Sequence, residues 1–338
     1  MLKIILLINF LLLLWFSRQA PTNTDTLISY CFFVVLSLAF AALKYTLYRR
    51  KKAREQGIRT AWDLIWRKLK RNKSAMAGMW VVLALCYIAI LAPFIVPVDP
   101  YNMDWGALSL GPGNSGHWLG TDEMGRDTLA RAIYATRIAM GIGLMAVTLN
   151  SFLGTGLGLL AGYYGGKTDN FIMRLLEFWN SIPFILLAIA LMAALGSGLF
   201  NLVLVVSLTG ILEFARIIRG DSQLLKKADY VNAARVMGIP DRQILKRHIL
   251  PNCLAPIIVM ATLRIGETIL TIAGLSFLGL GIQPPMPSLG SMLANGQQYL
   301  YENITMSIVP GTVILLIVLA FNLFGDGLRD ALDSRITQ

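Results

Sequence analysis

A chain of 338 residues that is 56% hydrophobic and only 14% charged lies far from the composition of a soluble globular domain. Its apolar residues come in runs of about 20, the length a bilayer-spanning helix needs, which sets aside soluble enzymes and soluble binding modules and predicts an all-α polytopic membrane protein. The net charge of +11 does not indicate nucleic acid, because the basic residues crowd residues 49–73 and 216–247, whereas residues 98–127 carry Asp99, Asp104, Asp122, Glu123 and Asp127 against Arg126 alone.

That asymmetry follows the positive-inside rule and predicts that both basic segments, with the N- and C-termini, are cytoplasmic and that the acidic loop is outside. The cysteines, Cys31, Cys86 and Cys253, are far apart in sequence, and His117 and His248 fall on opposite sides of the membrane in this topology. No disulfide framework, metal site or cofactor is expected.

In chain order, residues 1–50 read as a hydrophobic hairpin. The short apolar run 2–16 behind Lys3 resembles a signal peptide, but Arg18 stands where a cleavage site wants a small residue, so an uncleaved helix is expected. A second run, 27–48, ends at Arg49, Arg50, Lys51 and Lys52. Residues 51–74 predict a basic amphipathic helix in the membrane interface, with Ile58, Trp62, Ile65, Trp66 and Leu69 on one face and six basic residues from Arg59 to Lys73 around the rest. Residues 75–97 form the first core span. The loop 98–136 contains HWLGTDEMGRD, in which Asp122 and Asp127 do not fit a calcium-binding helix-loop-helix pattern. Gly120 and Gly125 read as turn residues, and Arg126 as the partner of a neighbouring carboxylate.

Residues 137–338 make up the core. Its next span, 138–162, carries Gly154, Gly158, Gly162 and Gly166 at every fourth position, a smooth face on which membrane helices approach closely. The neighbouring Gly162, Gly165, Gly166, Lys167 and Thr168 imitate a phosphate-binding loop. Ala161 stands where that pattern needs glycine, and a membrane helix precedes it in place of a strand, so ATP hydrolysis is assigned to another polypeptide. Further spans are predicted at 172–195, 199–212, 255–280 and 304–324. Within them Arg264 and Glu267, at i and i+3, read as a structural ion pair in preference to a substrate contact, and Asn150, Ser151 and Thr155 are polar groups of a possible pathway.

A cytoplasmic loop, residues 214–254, separates the second and third of these spans. In it Tyr230, Ala233, Ala234 and Met237 share one helical face, Gly238 breaks that helix, Pro240 opens a second with Ile244, Leu245 and Ile249 on its apolar side, and Pro251 is expected to stop it. A short helix, a corner and another short helix result. The spacing of Ala233, Ala234, Gly238, Leu250 and Pro251 resembles the EAA loop of ABC importer permeases, with Asn232 where that motif has Glu. The resemblance implies a coupling helix seated in a groove of a cytoplasmic ATPase. It makes Asn232, Ala233, Ala234, Arg235, Gly238, Arg242, Leu250 and Pro251 the coupling residues, with Arg235 and Arg242 as electrostatic contacts.

WRKLKRNKSAMAG, HWLGTDEMGRD, LAGYYGGKTDN, RHILPN, LSFLGLGIQPP and FNLFGDGLRDALD, in that order from about residue 61 to 335, are together similar to the C-type permease of dipeptide and oligopeptide importers. That likeness implies a type I ABC importer transmembrane domain with six core spans beside the N-terminal hairpin, without catalytic residues of its own. It further implies a heterodimer with a second homologous permease, cytoplasmic ATPases, an extracytoplasmic solute-binding protein and alternating access. Import of nickel chelates, glutathione or peptide antibiotics by the same machinery stays open, as do a channel or assembly protein without an ATPase and a membrane enzyme acting on lipid phosphates.

Overall fold

The structure is a computed structural model that describes residues 61–332 apart from 97 and 115. The expected hairpin of residues 1–50 lies outside the described residues. Five described helices are long and apolar enough to cross a membrane, and a sixth span results if one bent pair is counted as a unit.

Helix α1, Ala61–Arg71, meets α2, Lys73–Ile95, at Asn72, whose side chain accepts from the Ala75 N–H at 3.1 Å and caps α2. The apolar side of α1 is turned toward protein: Leu69 is buried with Ala75 and Ala331, and Ile65, Met79 and Phe324 pack around them. Trp66 stays exposed, with Lys70 Nζ 5.4 Å from its ring centroid.

The loop that follows has its own internal frame. Thr121 Oγ1 accepts from the Leu110 N–H at 2.9 Å and donates to the Ala107 carbonyl, and Gly120 and Gly125 turn the chain at φ of +78° and +72°. Asp122 takes Arg126 Nε at 2.7 Å and Arg131 Nε at 3.3 Å. Asp127 holds His117 Nδ1 at 2.8 Å and caps α3, Thr128–Tyr164, through the Ala130 N–H at 2.7 Å.

At 37 residues α3 is the backbone of the bundle. Its length of about 55 Å exceeds the hydrocarbon layer, so it also reaches the basic end of the molecule. The predicted span 172–195 is corrected: helix α4, Gly166–Asn180, and helix α5, Phe184–Leu195, meet at 85°. Pro183 cannot continue α4, since it has no N–H and disfavours helical geometry at Ile182.

The predicted span 199–212 is corrected as well. Helix α6, Leu199–Thr209, and helix α7, Ile211–Leu225, form one candidate span of 27 residues through Gly210. Fourteen residues reach only about 21 Å, too short to cross alone. Residues 214–225 therefore belong to a helix of the bundle, not to a loop.

Beyond it come α8, Asp229–Val236, and a short turn α9, Asp241–Ile244. A π turn at Leu245–Ile249 and a 3₁₀ turn at Leu250–Cys253 lead into α10, Leu254–Phe277. Pro251 was expected to end a helix, but the helical path from Asp241 to Phe277 runs through it. The Leu250 N–H reaches back to the Leu245 carbonyl, a wider turn that admits the proline ring and its missing donor. Helices α11, Leu289–Gln298, and α12, Thr305–Leu332, complete the bundle.

Two apolar clusters hold these elements together. Leu85, Ala89, Ile269, Ile317 and Phe321 join α2, α10 and α12, and Ile142, Met192, Leu202, Val206 and Ile272 join α3, α5, α6 and α10. Among the described residues the most extensive helix contact is between α3 and α7.

Candidate functional site

At the basic end, α8 closes on a left-handed corner. Gly238 takes φ of +75°, its N–H donates to the Arg235 carbonyl at 2.9 Å, and the Ile239 N–H donates to the Ala234 carbonyl at 3.1 Å. This Schellman arrangement satisfies the last carbonyls of α8 and reverses the chain within two residues. No atom lies within 4 Å of where a Cβ on Gly238 would stand. The demand for glycine is therefore conformational, not steric.

The corner sorts the predicted residues onto two sides. Val231 and Ala234 are buried with Leu159, Tyr163, Ile218, Ile244, Ile249 and Cys253, and Leu250 packs against the same cluster. Tyr230, Asn232, Ala233, Val236 and Met237 face outward, Val236 at 89% exposure. The shared face read from spacing is thus corrected, and so is the docking role that the resemblance implied for Ala234: Ala234 seats α8 on the bundle, while Ala233 lies outside. Arg242, Lys246, Arg247 and Pro251 are exposed as well. Asn232 reaches only the Lys227 carbonyl, at 3.4 Å.

A tyrosine ties the corner to α3. Tyr163 is 2% exposed, and its hydroxyl donates to Asp241 Oδ1 at 2.5 Å. Arg235 Cζ stands 5.2 Å from the ring centroid and Lys226 Nζ 5.6 Å, so the ring collects two cations and a carboxylate from the chain on both sides of the corner. Arg235, assigned from sequence to an outside partner, is partly engaged here. Asp169 of α4 binds Arg219 of α7 at 2.6 Å nearby. Neither Tyr163 nor Asp169 has a local sequence signal, because their partners are distant in the chain.

Above the corner, the glycine row of α3 meets α7. A Cβ on Gly154 would stand 2.7 Å from the Ile211 carbonyl oxygen, on Gly158 2.5 Å from that of Ala215, and on Gly162 2.5 Å from that of Arg219. Gly166 is corrected: it begins α4 at φ of +53° and has no atom within 4 Å of a Cβ position, so it turns the chain and packs against nothing. The glycines imitating a phosphate loop thus sit at a helix-to-helix junction.

Residues 154–338, which hold this site and most of the bundle, match the family described as binding-protein-dependent transport system inner membrane component. The chain belongs to this permease family. Residues 60–112 match a second family, the N-terminal transmembrane domain of oligopeptide transport permease C. The permease is 45% identical over 284 residues to the glutathione transport system permease protein GsiD of Pectobacterium atrosepticum, covering 84% of this chain and 94% of that one. It is 42% identical over 285 residues to the dipeptide transport system permease protein DppC of Haemophilus influenzae, covering 83% and 97%. Among solved structures, inward-facing conformations of the MetNI methionine ABC transporter align with 60% of this chain and 97% of that one, at a TM-score of 0.49 and 20% identity. The permease is a subunit of an ABC importer, in a family that works with an ATPase and a substrate-binding protein.

Proposed function

We propose that this permease pairs with a second, homologous permease and carries di- or oligopeptides across the inner membrane, with both termini in the cytoplasm and the loop between α2 and α3 outside, its predicted end at residue 136 moved back to Asp127 by the start of α3. Cytoplasmic ATPases hydrolyse ATP, a solute-binding protein delivers substrate from outside, and this chain contributes no catalytic residue.

The observation that carries the reading is the exposed apolar patch of Ala233, Val236 and Met237 on a Gly238 corner. Closure of the ATPase pair pushes on α8. Ala234, Val231 and Tyr163 pass that push to α3, and the close glycine contact makes α3 and α7 move as one body. Such coupling requires two global states with different contacts, and a rigid corner transmits a displacement that a loose loop would absorb. Asn232, Arg235, Arg242, Leu250 and Pro251 complete the coupling residues. The names of the relatives support a peptide-type substrate, glutathione included.

Gentle detergent purification of the tagged permease, with co-purifying chains identified by mass spectrometry, tests the assembly. A second permease with one or two ATPases is expected, followed by dipeptide uptake in vesicles supplied with the binding protein. A permease recovered alone, and still alone after crosslinking from a cysteine at Ala233, would remove the reading.

A further inference from the structure

Helix α2 is a candidate span of 23 residues, about 35 Å long and so little longer than the hydrocarbon layer it crosses. Lys73, at its start, therefore stands at the level of the lipid head groups. Helix α1 ends at Arg71, immediately before the Asn72 cap, and its packing holds it at that level. Leu69, 4% exposed, is buried with Ala75 of α2 and Ala331 of α12. A Cβ on Gly327 would collide with that of Ala75, so the ends of α2 and α12 are closed on each other where α1 docks.

A basic amphipathic helix enters a membrane interface by its apolar side. In α1 that side is already spent on protein, through Ile65 and Leu69. What it turns outward is Trp66, Arg67, Lys70 and Arg71, and Lys73 continues the exposed basic surface onto α2. Lys70 Nζ lies 5.4 Å from the Trp66 ring centroid. Arg67, Lys70, Arg71 and Lys73 have no carboxylate at ion-pair distance among the described residues. Arg126, Arg131, Arg216, Arg219 and Arg264, by contrast, each have one. Four cations without a counter-charge beside an exposed indole, held at head-group depth, are complementary to an anionic lipid. Its phosphate oxygens pair with guanidinium and ammonium groups, and the indole suits the boundary between acyl chain and water.

We propose that Trp66, Arg67, Lys70, Arg71 and Lys73 form a binding surface for the phosphate of an anionic phospholipid, in the leaflet where α2 begins. The proposal rests on the membrane placement of the chain and not on its substrate. Because Leu69 fastens α1 to α2 and α12, the surface is formed before lipid arrives, and binding costs little ordering of the chain.

The test uses the assembled transporter in phosphatidylcholine vesicles that contain phosphatidylglycerol as the minority lipid. A trace of lipid with a diazirine near its glycerol backbone is supplied as phosphatidylglycerol in one sample and as phosphatidylcholine in another. Crosslinked residues are mapped by peptide mass spectrometry, and each yield is normalised to the total on the chain. The anionic probe is expected to mark α1 and the first turn of α2 well above the neutral one, with the excess lost at raised salt. Arg67→Gln with Arg71→Gln is expected to lower that yield about twenty-fivefold, roughly fivefold for each cation near an anionic surface. Lys167→Gln with Arg174→Gln, which removes the same charge from exposed positions on α4, leaves it unchanged. If the first pair fails to assemble, Lys70→Gln with Lys73→Gln gives the same reading. Equal marking by the two probes, or an undiminished yield without these cations, overturns the proposal, and so does crosslinking of α1 to a protein partner in place of lipid.

Discussion

Valine at position 238 must hold the φ of +75° that glycine holds there, and a β-branched residue resists that region by about 1–2 kcal/mol. Because the spans do not depend on this corner, Gly238→Val is expected to insert normally and to lose uptake or ATPase binding. Membrane fractionation beside an uptake assay checks it, and normal uptake would count heavily against α8 as the coupling element. Tyr163→Phe is a finer change, removing the bond to Asp241 while keeping the ring between Arg235 and Lys226. A hydrogen bond to a charged acceptor is worth about 1.5–3 kcal/mol, so the complex should assemble while substrate-stimulated ATP hydrolysis falls several-fold. Equal stimulation in the variant and the parent would leave Tyr163 with a packing role only. The glycine was legible in sequence because a break between two short amphipathic stretches demands one. The tyrosine was not, since its partner Asp241 is 78 residues away.

At the scale of elements, the contact between α3 and α7 depends on missing side chains. Gly158→Leu would drive a side chain into the Ala215 backbone, 2.5 Å from a Cβ, and is expected to cost about 3 kcal/mol and to lower the melting temperature in detergent. Gly166→Ala meets no atom and carries only the strain of φ of +53°, about 1 kcal/mol. If the two variants melt together, the close-contact account of the row fails. The four-residue period flagged the contact without naming the opposite helix. It also ran one glycine too far, because Gly166 continues the spacing after the helix has ended at Tyr164. Periodicity is blind to such an end when the terminating residue, Gly165, is of the same type as the row.

For the whole molecule, the loop between α2 and α3 joins distant parts of the chain. Glu123 accepts from Asn295 of α11 at 2.8 Å, and Asn303 donates to the Leu110 carbonyl at 2.9 Å. Asp122, 7% exposed, anchors both Arg126 and Arg131. Asp122→Asn would leave two buried guanidinium groups short of their shared anion, a loss of about 3–5 kcal/mol. Faster proteolysis within residues 98–127 is expected, with the spans still inserted. Unchanged cleavage would show that the backbone bonds of the loop suffice.

Sequence alone determined that the chain is a helical membrane protein, because apolar run length is a local quantity that a bilayer reads directly, and its resemblance to ABC importer permeases lay in motifs of consecutive residues. It located the Gly238 corner for a related reason, since a reversal between two short helices is encoded in consecutive residues. Tertiary structure decided what depends on neighbours distant in the chain. It bent the stretch 172–195 by 85° at Pro183, carried the helical path past Pro251 into α10 after a π turn, and turned Ala234 inward while leaving Ala233 out. It also brought Glu213 to Arg264, which sequence had paired with Glu267 alone. Fifty-one positions separate Glu213 from Arg264. Only the packing of α7 beside α10 sets one guanidinium between two carboxylates, and no pattern within either helix contains that geometry.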